Sequence, residues 1–413
     1  MAKICIVSTG QLATNPRLVK EANALASAGH EVEVVVCQFS RWAQPMEDSV
    51  PKGGWTVAAR VPFGPLAPLT CRLRQGVRKR IAKKILALGL KNARYVEIAA
   101  HPASLELIRA ASSIKADLYI GHYVAALPAV ATAAQRHNAH YAFDAEDFHL
   151  GDSPEGPEGE WQRSITRAIE GRYIPNCAYV TAASPGIADA YADAYGIPRP
   201  TVVLNVFPLE QTPERPTPRG SVQPGPSVYW FSQTIGPNRG LECAVRAIAM
   251  AQSEPHLYLR GTPAEGYAEV LNRLVESEGC TGRVHILPPA EPLEMERLAA
   301  QYDVGLVGET GHTLNRRIAL TNKQFTYLLA GIPSIMSDVP AHREFAKDLA
   351  PAVTLYKKHD PKALALALDS LLMNQGTLSA AREAAYRLGQ ERYNWECEQK
   401  SLIQAVESSL DGH

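Results

Sequence analysis

Two segments in the second half of the chain place cations where they would neutralise a departing anion. In QTIGPNRGLE (233–242), a glycine-rich loop containing Gly236 follows the apolar run SVYWFS and delivers Arg239 close to the start of a helix. In LTNKQFTYLLAGIPSIMSD (320–338), Thr321 or Asn322 is placed to cap a helix whose first turn carries Lys323. A helix start offers unpaired N–H groups and the positive end of a dipole, so each segment is a natural phosphate cradle. An Arg from one loop and a Lys from the other would together offset the charge of a leaving diphosphate without a metal. Taken singly, each is as readily a surface charge at an ordinary helix start.

The first half of the chain adds weaker candidates. Gly10 sits in the turn after the strand KICIVS, where a missing side chain would let backbone N–H groups approach phosphates, or would simply permit a tight turn. His122 closes the strand DLYIGH, a place where a histidine is most often packed and hydrogen-bonded. Asp144, Glu146 and Asp147 are close enough in sequence to hold magnesium or manganese, but a solvated acidic loop is the commoner meaning of such a run. Arg239 and Lys323 supply the charge that a metal would otherwise bring, so no metal and no cofactor is expected. Common signatures are absent: no G-x-G-x-x-G opens the chain and no Walker A pattern occurs, which weakens dinucleotide and P-loop readings. There is no G-x-S-x-G, no H-E-x-x-H and no kinase signature either.

These groups need a scaffold, and the pattern predicts one. KICIVS, a helix begun by Asn15 and Pro16 and ended by Gly29, and the strand EVEVVVC form one unit. DLYIGH, HYAFDAED, AYVTAAS and TVVLNV continue the alternation, with helices over 124–135 and 185–194. Residues 208–226 hold six prolines in 19 positions and read as a linker. A second alternating series follows through SVYWFS, HLYLRG, VHILPP, DVGLVGE, IPSIMSD and PAVTLY, and the last 50 residues read as largely helical. Strands alternating with helices predict parallel sheets covered on both faces. The expected class is α/β, with two Rossmann-like domains facing each other across a cleft. The N-terminal domain is expected over 1–207 and the C-terminal one over 227–384, with a helix at about 385–413 packing back on the first.

Composition narrows the class further. Lys+Arg and Asp+Glu both number 42 in 413 residues, so the chain is not globally a binder of polyanions, and no nucleic-acid partner is expected. Seven cysteines without C-x-x-C spacing indicate neither a disulfide framework nor a zinc site. The N-terminus has no signal-peptide pattern and no apolar run spans a membrane, which predicts a cytoplasmic protein. Local charge is uneven. Between Asp48 and Glu97 lie 11 Lys or Arg and no acid, and within about 72–94 Val77, Ile81, Ile85 and Leu88 make one helical stripe among basic residues. Such a helix suits peripheral contact with an anionic membrane at the inner face of the cell membrane, or ordinary packing of the stripe into a core.

The order of segments resembles the retaining glycosyltransferases of the GT-B fold, most of all glycosyltransferase family 4. The likeness runs through NPRLVKEANALASAGHEV, GHYVAALPAVATA, FDAEDFHLGD, ASPGIADAYADAYGIP and VVLNVFP, then the two cation-bearing loops and AGIPSIMSD. It implies a nucleotide-diphosphate sugar, UDP favoured and GDP next, held by the C-terminal domain. It also implies a saccharide or lipid-linked acceptor held by the N-terminal one, in polysaccharide or glycoconjugate synthesis. Arg239 stands where the family usually has a lysine. His122 matches a common family histidine, and Glu146 stands where a second is usual and would orient a sugar hydroxyl. Two departures are plain: Gln233 replaces an arginine, and Thr326 replaces the second glutamate of an E-x(7)-E pattern. Glu309 is then the nearest acid for a ribose or sugar hydroxyl, beside Gly236 and Asn322. The alternatives are a nucleotide-sugar epimerase of the same architecture and a non-catalytic nucleotide-sugar-binding scaffold.

Overall fold

The computed structural model describes all residues except 42, 48, 49, 51, 90, 91, 155, 214–224, 412 and 413. It divides into two units, Met1–Val203 with Gln399–His413, and Leu204–Glu398.

The first unit runs β1 (Lys3–Ser8), α1 (Pro16–Ser27), β2 (Glu31–Gln38), β3 (Thr56–Pro62), α2 (Leu69–Ala87), α3 (Ala93–Ala100), α4 (Ser104–Ser112), β4 (Leu118–His122), α5 (Leu127–His137), β5 (His140–Ala145), α6 (Pro157–Tyr173), β6 (Val180–Ala182), α7 (Pro185–Tyr195) and β7 (Thr201–Val202). Asn15 caps α1 by accepting the Leu18 N–H, and Pro16 occupies its first turn. The sheet is parallel throughout, in the order β3-β2-β1-β4-β5-β6-β7. All five residues of β4 are buried, as a strand covered on both faces requires. Cys5, Val7, Val35, Cys37 and Tyr119 pack there against Leu107 of α4 and Val130 of α5.

The second unit runs β8 (Ser227–Ile235), α8 (Leu241–Met250), β9 (His256–Pro263), α9 (Tyr267–Ser277), β10 (Val284–Leu287), α10 (Met295–Ala299), β11 (Val304–Val307), α11 (Leu314–Ile318), α12 (Asn322–Ala330), β12 (Ser334–Ser337), α13 (Pro340–Phe345), β13 (Val353–Tyr356), α14 (Pro361–Leu372), α15 (Gln375–Glu391) and α16 (Trp395–Asp411), the last ending in the first unit. Its parallel sheet has the order β10-β9-β8-β11-β12-β13. Residues 204–209 join the start of α16: the Leu204 N–H donates to Glu398 at 2.8 Å and the Trp395 N–H to the Phe207 carbonyl at 2.9 Å. Most of the expected proline-rich linker, residues 214–224, lies outside the described residues. The return to the first unit begins at Gln399, later than 385, because α15 packs on α12 and α14.

Strand order reverses between β1 and β4 in one sheet and between β8 and β11 in the other. In open parallel sheets, ligands bind at the carboxyl ends of the strands at such a reversal. The loops after these four strands are therefore where sites are to be sought.

The basic helix departs from the core-packed alternative. Leu69, Leu73, Val77 and Ile81 are 63%, 60%, 49% and 50% exposed, a ridge along α2, and Leu88 beyond it is 79% exposed. The helix is seated instead through Gln75 and Ala82. No helix among the described residues is long and apolar enough to cross a membrane.

The packing of α12 on β11 requires a glycine. A Cβ on Gly305 would lie 2.3 Å from the ring of Tyr327, which is fully buried. Gly305→Ala is expected to cost about 1–3 kcal/mol through overpacking. Urea unfolding should show a lower midpoint at unchanged slope; an unmoved midpoint would show that Tyr327 has room to shift.

Candidate functional site

In the second unit, two loops are pressed into one surface. Gly240, at φ +72°, has no side chain because a Cβ there would fall 2.3 Å from the Gly308 carbonyl oxygen. The Thr310 hydroxyl donates to the Asn238 carbonyl at 3.1 Å, tying the loop after β11 to the loop after β8. Glu309 and Arg239 are thereby brought together. The backbone of Glu309 is fixed from behind: Ser337 Oγ donates to its carbonyl at 2.7 Å, and His342 Nδ1 donates to the Ser337 carbonyl at 2.8 Å.

Lys323 enters from the first turn of α12. Its ammonium lies 3.7 Å from Glu309 Oε1 and 5.3 Å from the centre of the Trp230 ring, a charge pair with a cation–π contact. Both residues are buried, with side-chain exposures of 8% and 7%. Burial pulls the Lys323 pKa down; Glu309 opposes this, while Arg239 and Arg316 reinforce it. Burial alone would raise Glu309, but Lys323, Arg316, His342 and Arg239 outweigh it and hold the carboxylate ionised. Burial also lowers Arg239.

Arg316 is a third cation that sequence reasoning missed. It rides on α11, where the Thr313 hydroxyl accepts the Arg316 N–H at 3.1 Å. The Thr-x-x-Arg spacing in GHTLNRR was the available signal, a capped helix start carrying a charge. Among the described residues, neither Arg239 nor Arg316 has a carboxylate within ion-pair distance. Three cations thus share one carboxylate. Neither α8, begun by Gly240, nor α12, begun by Thr321, has a side-chain cap on its first-turn N–H groups. Excess positive charge beside two such helix starts is chemistry for a diphosphate.

The other expected residues of this unit fall as follows. Asn322 opens α12 and is half-buried beside Lys323. Gly236 is buried in the β8 loop, but a Cβ there would meet only ordinary contacts from 3.6 Å outward. Gln233 is exposed on β8. Thr326 is not brought to the loops: it is fully buried, and its hydroxyl donates to Glu296 of α10 at 2.8 Å.

The first unit gathers a different cluster behind its reversal point. Arg17 of α1 grips Asp144 with two bonds of 2.7 Å and donates a third to the Val203 carbonyl. Thr181 Oγ1 also donates to Asp144, at 2.6 Å. His122 lies between two carboxylates, its Nε2 2.5 Å from Glu21 Oε2 and its Nδ1 3.4 Å from Asp144 Oδ2. Burial would lower the His122 pKa, but Glu21 and Asp144 reverse this and favour the imidazolium. Burial would likewise raise Asp144, yet Arg17 and His122 bring it down to about 2. His122 is only 2% exposed and both its nitrogens are engaged, so it serves as a buried tie. Arg17 and Glu21, one turn apart on α1, had no motif to announce them. Asp144 is occupied by Arg17, so the expected acidic triplet is not a free metal cage; among the described residues no His/Cys/Asp/Glu group could hold a metal.

Glu146 stands half-buried just past this cluster. Burial raises its pKa, helped by Asp147 and Asp144 and opposed by Arg17 and His122. At Gly10 the N–H donates to Ser8 Oγ at 2.9 Å, and a Cβ would meet the Tyr123 ring at 3.1 Å. Tyr123 itself is held at φ +69°, an uncommon conformation for a residue with a side chain.

Residues 14–206 match the family described as the glycosyl transferase 4-like domain. No curated protein sequence matches the chain. Among solved structures, HepE of Anabaena in complex with UDP and glucose superposes with a TM-score of 0.72 at 16% identity, over 99% of this chain and 100% of that one. Sucrose-phosphate synthase of Thermosynechococcus elongatus gives 0.73 at 16% identity, over 99% of each chain. TarM of S. aureus gives 0.63 at 10%, over 98% and 99%. Over residues 14–206 the chain matches the glycosyl transferase 4-like domain, and it has the GT-B fold.

Removing Arg17 would leave Asp144 buried without its main counter-charge. Arg17→Ala is expected to cost about 3–5 kcal/mol, read from the denaturant midpoint. A loss below about 1 kcal/mol would mean that water or His122 satisfies Asp144 instead.

Proposed function

We propose that this glycosyltransferase is a retaining enzyme that moves a sugar from a nucleotide-diphosphate donor, a UDP-sugar first and a GDP-sugar next, to a hydroxyl acceptor in polysaccharide or glycoconjugate synthesis. The observation that carries the reading is the imbalance around Glu309: Lys323, Arg239 and Arg316 against one carboxylate, beside two helix starts without side-chain caps. In this mechanism the bond from the anomeric carbon to the diphosphate oxygen breaks while the acceptor oxygen bonds to that carbon from the same face, and the hydroxyl proton passes to the departing phosphate. Lys323, Arg239 and Arg316 receive the charge that develops on the leaving phosphate, which is where most barrier lowering arises in group transfer of this kind. Glu309 opposes the lowering of the Lys323 pKa by burial, and with Asn322 it offers partners to hydroxyls of the donor. Glu146 orients an acceptor hydroxyl, with His122 as the tie that fixes the strand end beside it. The turn of Thr326 into the α10 contact leaves the cation set untouched, which favours an enzyme over a scaffold.

The test is a thermal-shift panel of UDP, GDP and ADP on the native chain, Lys323→Ala and Arg239→Ala. A diphosphate at 100 times its Kd should add about 2.7 kcal/mol of stability to the native protein. Both variants should lose that gain, and donor turnover should fall at least about 100-fold in each. No response to any diphosphate would overturn the donor reading.

The same reading gives the chain a place on an anionic membrane surface. At 100° per residue, Arg72, Arg80 and Lys84 lie about 60° from the ridge of Leu69, Leu73, Val77 and Ile81 on α2. All three are exposed, and none forms an ion pair among the described residues. An apolar ridge with a basic flank suits a bilayer interface. Arg80→Glu with Lys84→Glu should weaken sedimentation with phosphatidylglycerol vesicles by at least about five-fold per charge, at about 1 kcal/mol each. Equal sedimentation of variant and native chain would end the idea.

A further inference from the structure

A cavity of about 540 Å³ opens in the first unit, between the seated side of α2 and the loops after β1 and β4. Lys79 and Lys83 form one wall; Thr9, Tyr123 and Trp161 belong to the rest. Two carboxylates, Asp152 and Glu158, also line it. The lysines are one helical turn apart and so share a face of α2, about 200° around the helix from the exposed ridge. They have no carboxylate within ion-pair distance among the described residues, whereas Arg74 and Arg78 of the same helix both pair with Glu106. Lys79 is half-buried, and burial together with the neighbouring Lys83 lowers its pKa. Lys83 is exposed, so the cavity meets two like charges, one half-buried and one open to solvent, a pairing suited to an anion. The rest of the lining suits a sugar: an indole for the apolar face of a ring, and carboxylates for its hydroxyls.

We propose that this cavity takes the phosphoryl group of the acceptor, with Lys79 and Lys83 as its pairing cations, so that the acceptor is a saccharide phosphate or diphosphate. The inference rests on the transferase reading above and names its acceptor class. Free sugar phosphates and lipid-linked saccharide diphosphates share this chemistry. The exposed ridge on the other side of α2 would bring the lipid-linked form to the cavity.

The test is calorimetric titration of the full chain with glucose 1-phosphate, in saturating UDP so that the cations around Glu309 are already occupied. Lys79→Ala with Lys83→Ala should weaken glucose 1-phosphate at least about 10-fold, as loss of charge-assisted hydrogen bonds requires. UDP affinity and melting temperature should stay unchanged. Lys79→Arg with Lys83→Arg should retain binding and guards against a folding defect. Lys115→Ala with Arg136→Ala removes two exposed charges elsewhere on the same unit and should leave binding intact. Equal binding by the Lys79/Lys83 variant and the native chain, an equal loss in the Lys115/Arg136 variant, or no glucose 1-phosphate binding at all would each overturn the proposal. Failure of UDP itself to bind would instead overturn the donor reading. A second arm uses a polyprenyl diphosphate-linked saccharide in phosphatidylcholine vesicles. Tighter, Lys79-dependent binding there assigns the lipid-linked source, and binding no tighter than glucose 1-phosphate assigns the soluble one.

Discussion

The close approach of Gly240 to Gly308 is the contact on which the second unit's chemistry depends. A Cβ at Gly240 would stand 2.3 Å from a carbonyl oxygen, and the φ of +72° would strain any other residue. Because both positions are glycine, the loop after β8 rests directly on the loop after β11. Arg239 and Glu309, 70 positions apart in the chain, then act in one electrostatic field. Without that contact, each is a charge at the end of its own strand.

The third partner arrives on a helix that is itself locked. α12 is held by Tyr327 against Gly305, by Thr326 bonded to Glu296, and by Gly389 of α15, where a Cβ would fall 2.5 Å from the Leu328 carbonyl oxygen. A helix gripped on several sides cannot swing Lys323 away from Glu309. Fixed charges of this kind stabilise a developing anion without reorganising first, the condition under which electrostatics lowers a barrier most. The first unit uses the same sheet topology to the opposite end. There Arg17 pairs with Asp144 and His122 with Glu21, two cations against two carboxylates, with Oε1 of Glu21 left without a hydrogen bond among the described residues. The difference lies in the ratio of cations to carboxylates, not in the fold.

Much of this was legible in the sequence, for a physical reason. Strand and helix alternation is local, as are a cap such as Asn15 and a helix-ending glycine such as Gly29, so the two parallel sheets and the loops bearing Arg239 and Lys323 could be read directly. Partners distant in sequence could not. Arg17 and Asp144 are 127 residues apart, and nothing near either signals the other. Thr326 looked like a weakened ligand position because spacing alone cannot tell which way a helical side chain points; its Glu296 partner shows that it points into packing. The neighbour of Gly10 was hidden likewise, since only the fold reveals Tyr123 against it.

The α2 helix shows the same limit from the other side. Period 3.6 identifies a stripe, yet whether anything covers the stripe is a property of the tertiary fold. Here the buried residues of the helix are Gln75 and Ala82, and the apolar ridge is left facing outward. Burying such a ridge elsewhere releases water from apolar surface at about 25 cal/mol per Å². Lys79 and Lys83 line the cavity on the seated side while the ridge faces outward. Surface attachment and recognition of an anion would then be two faces of one helix.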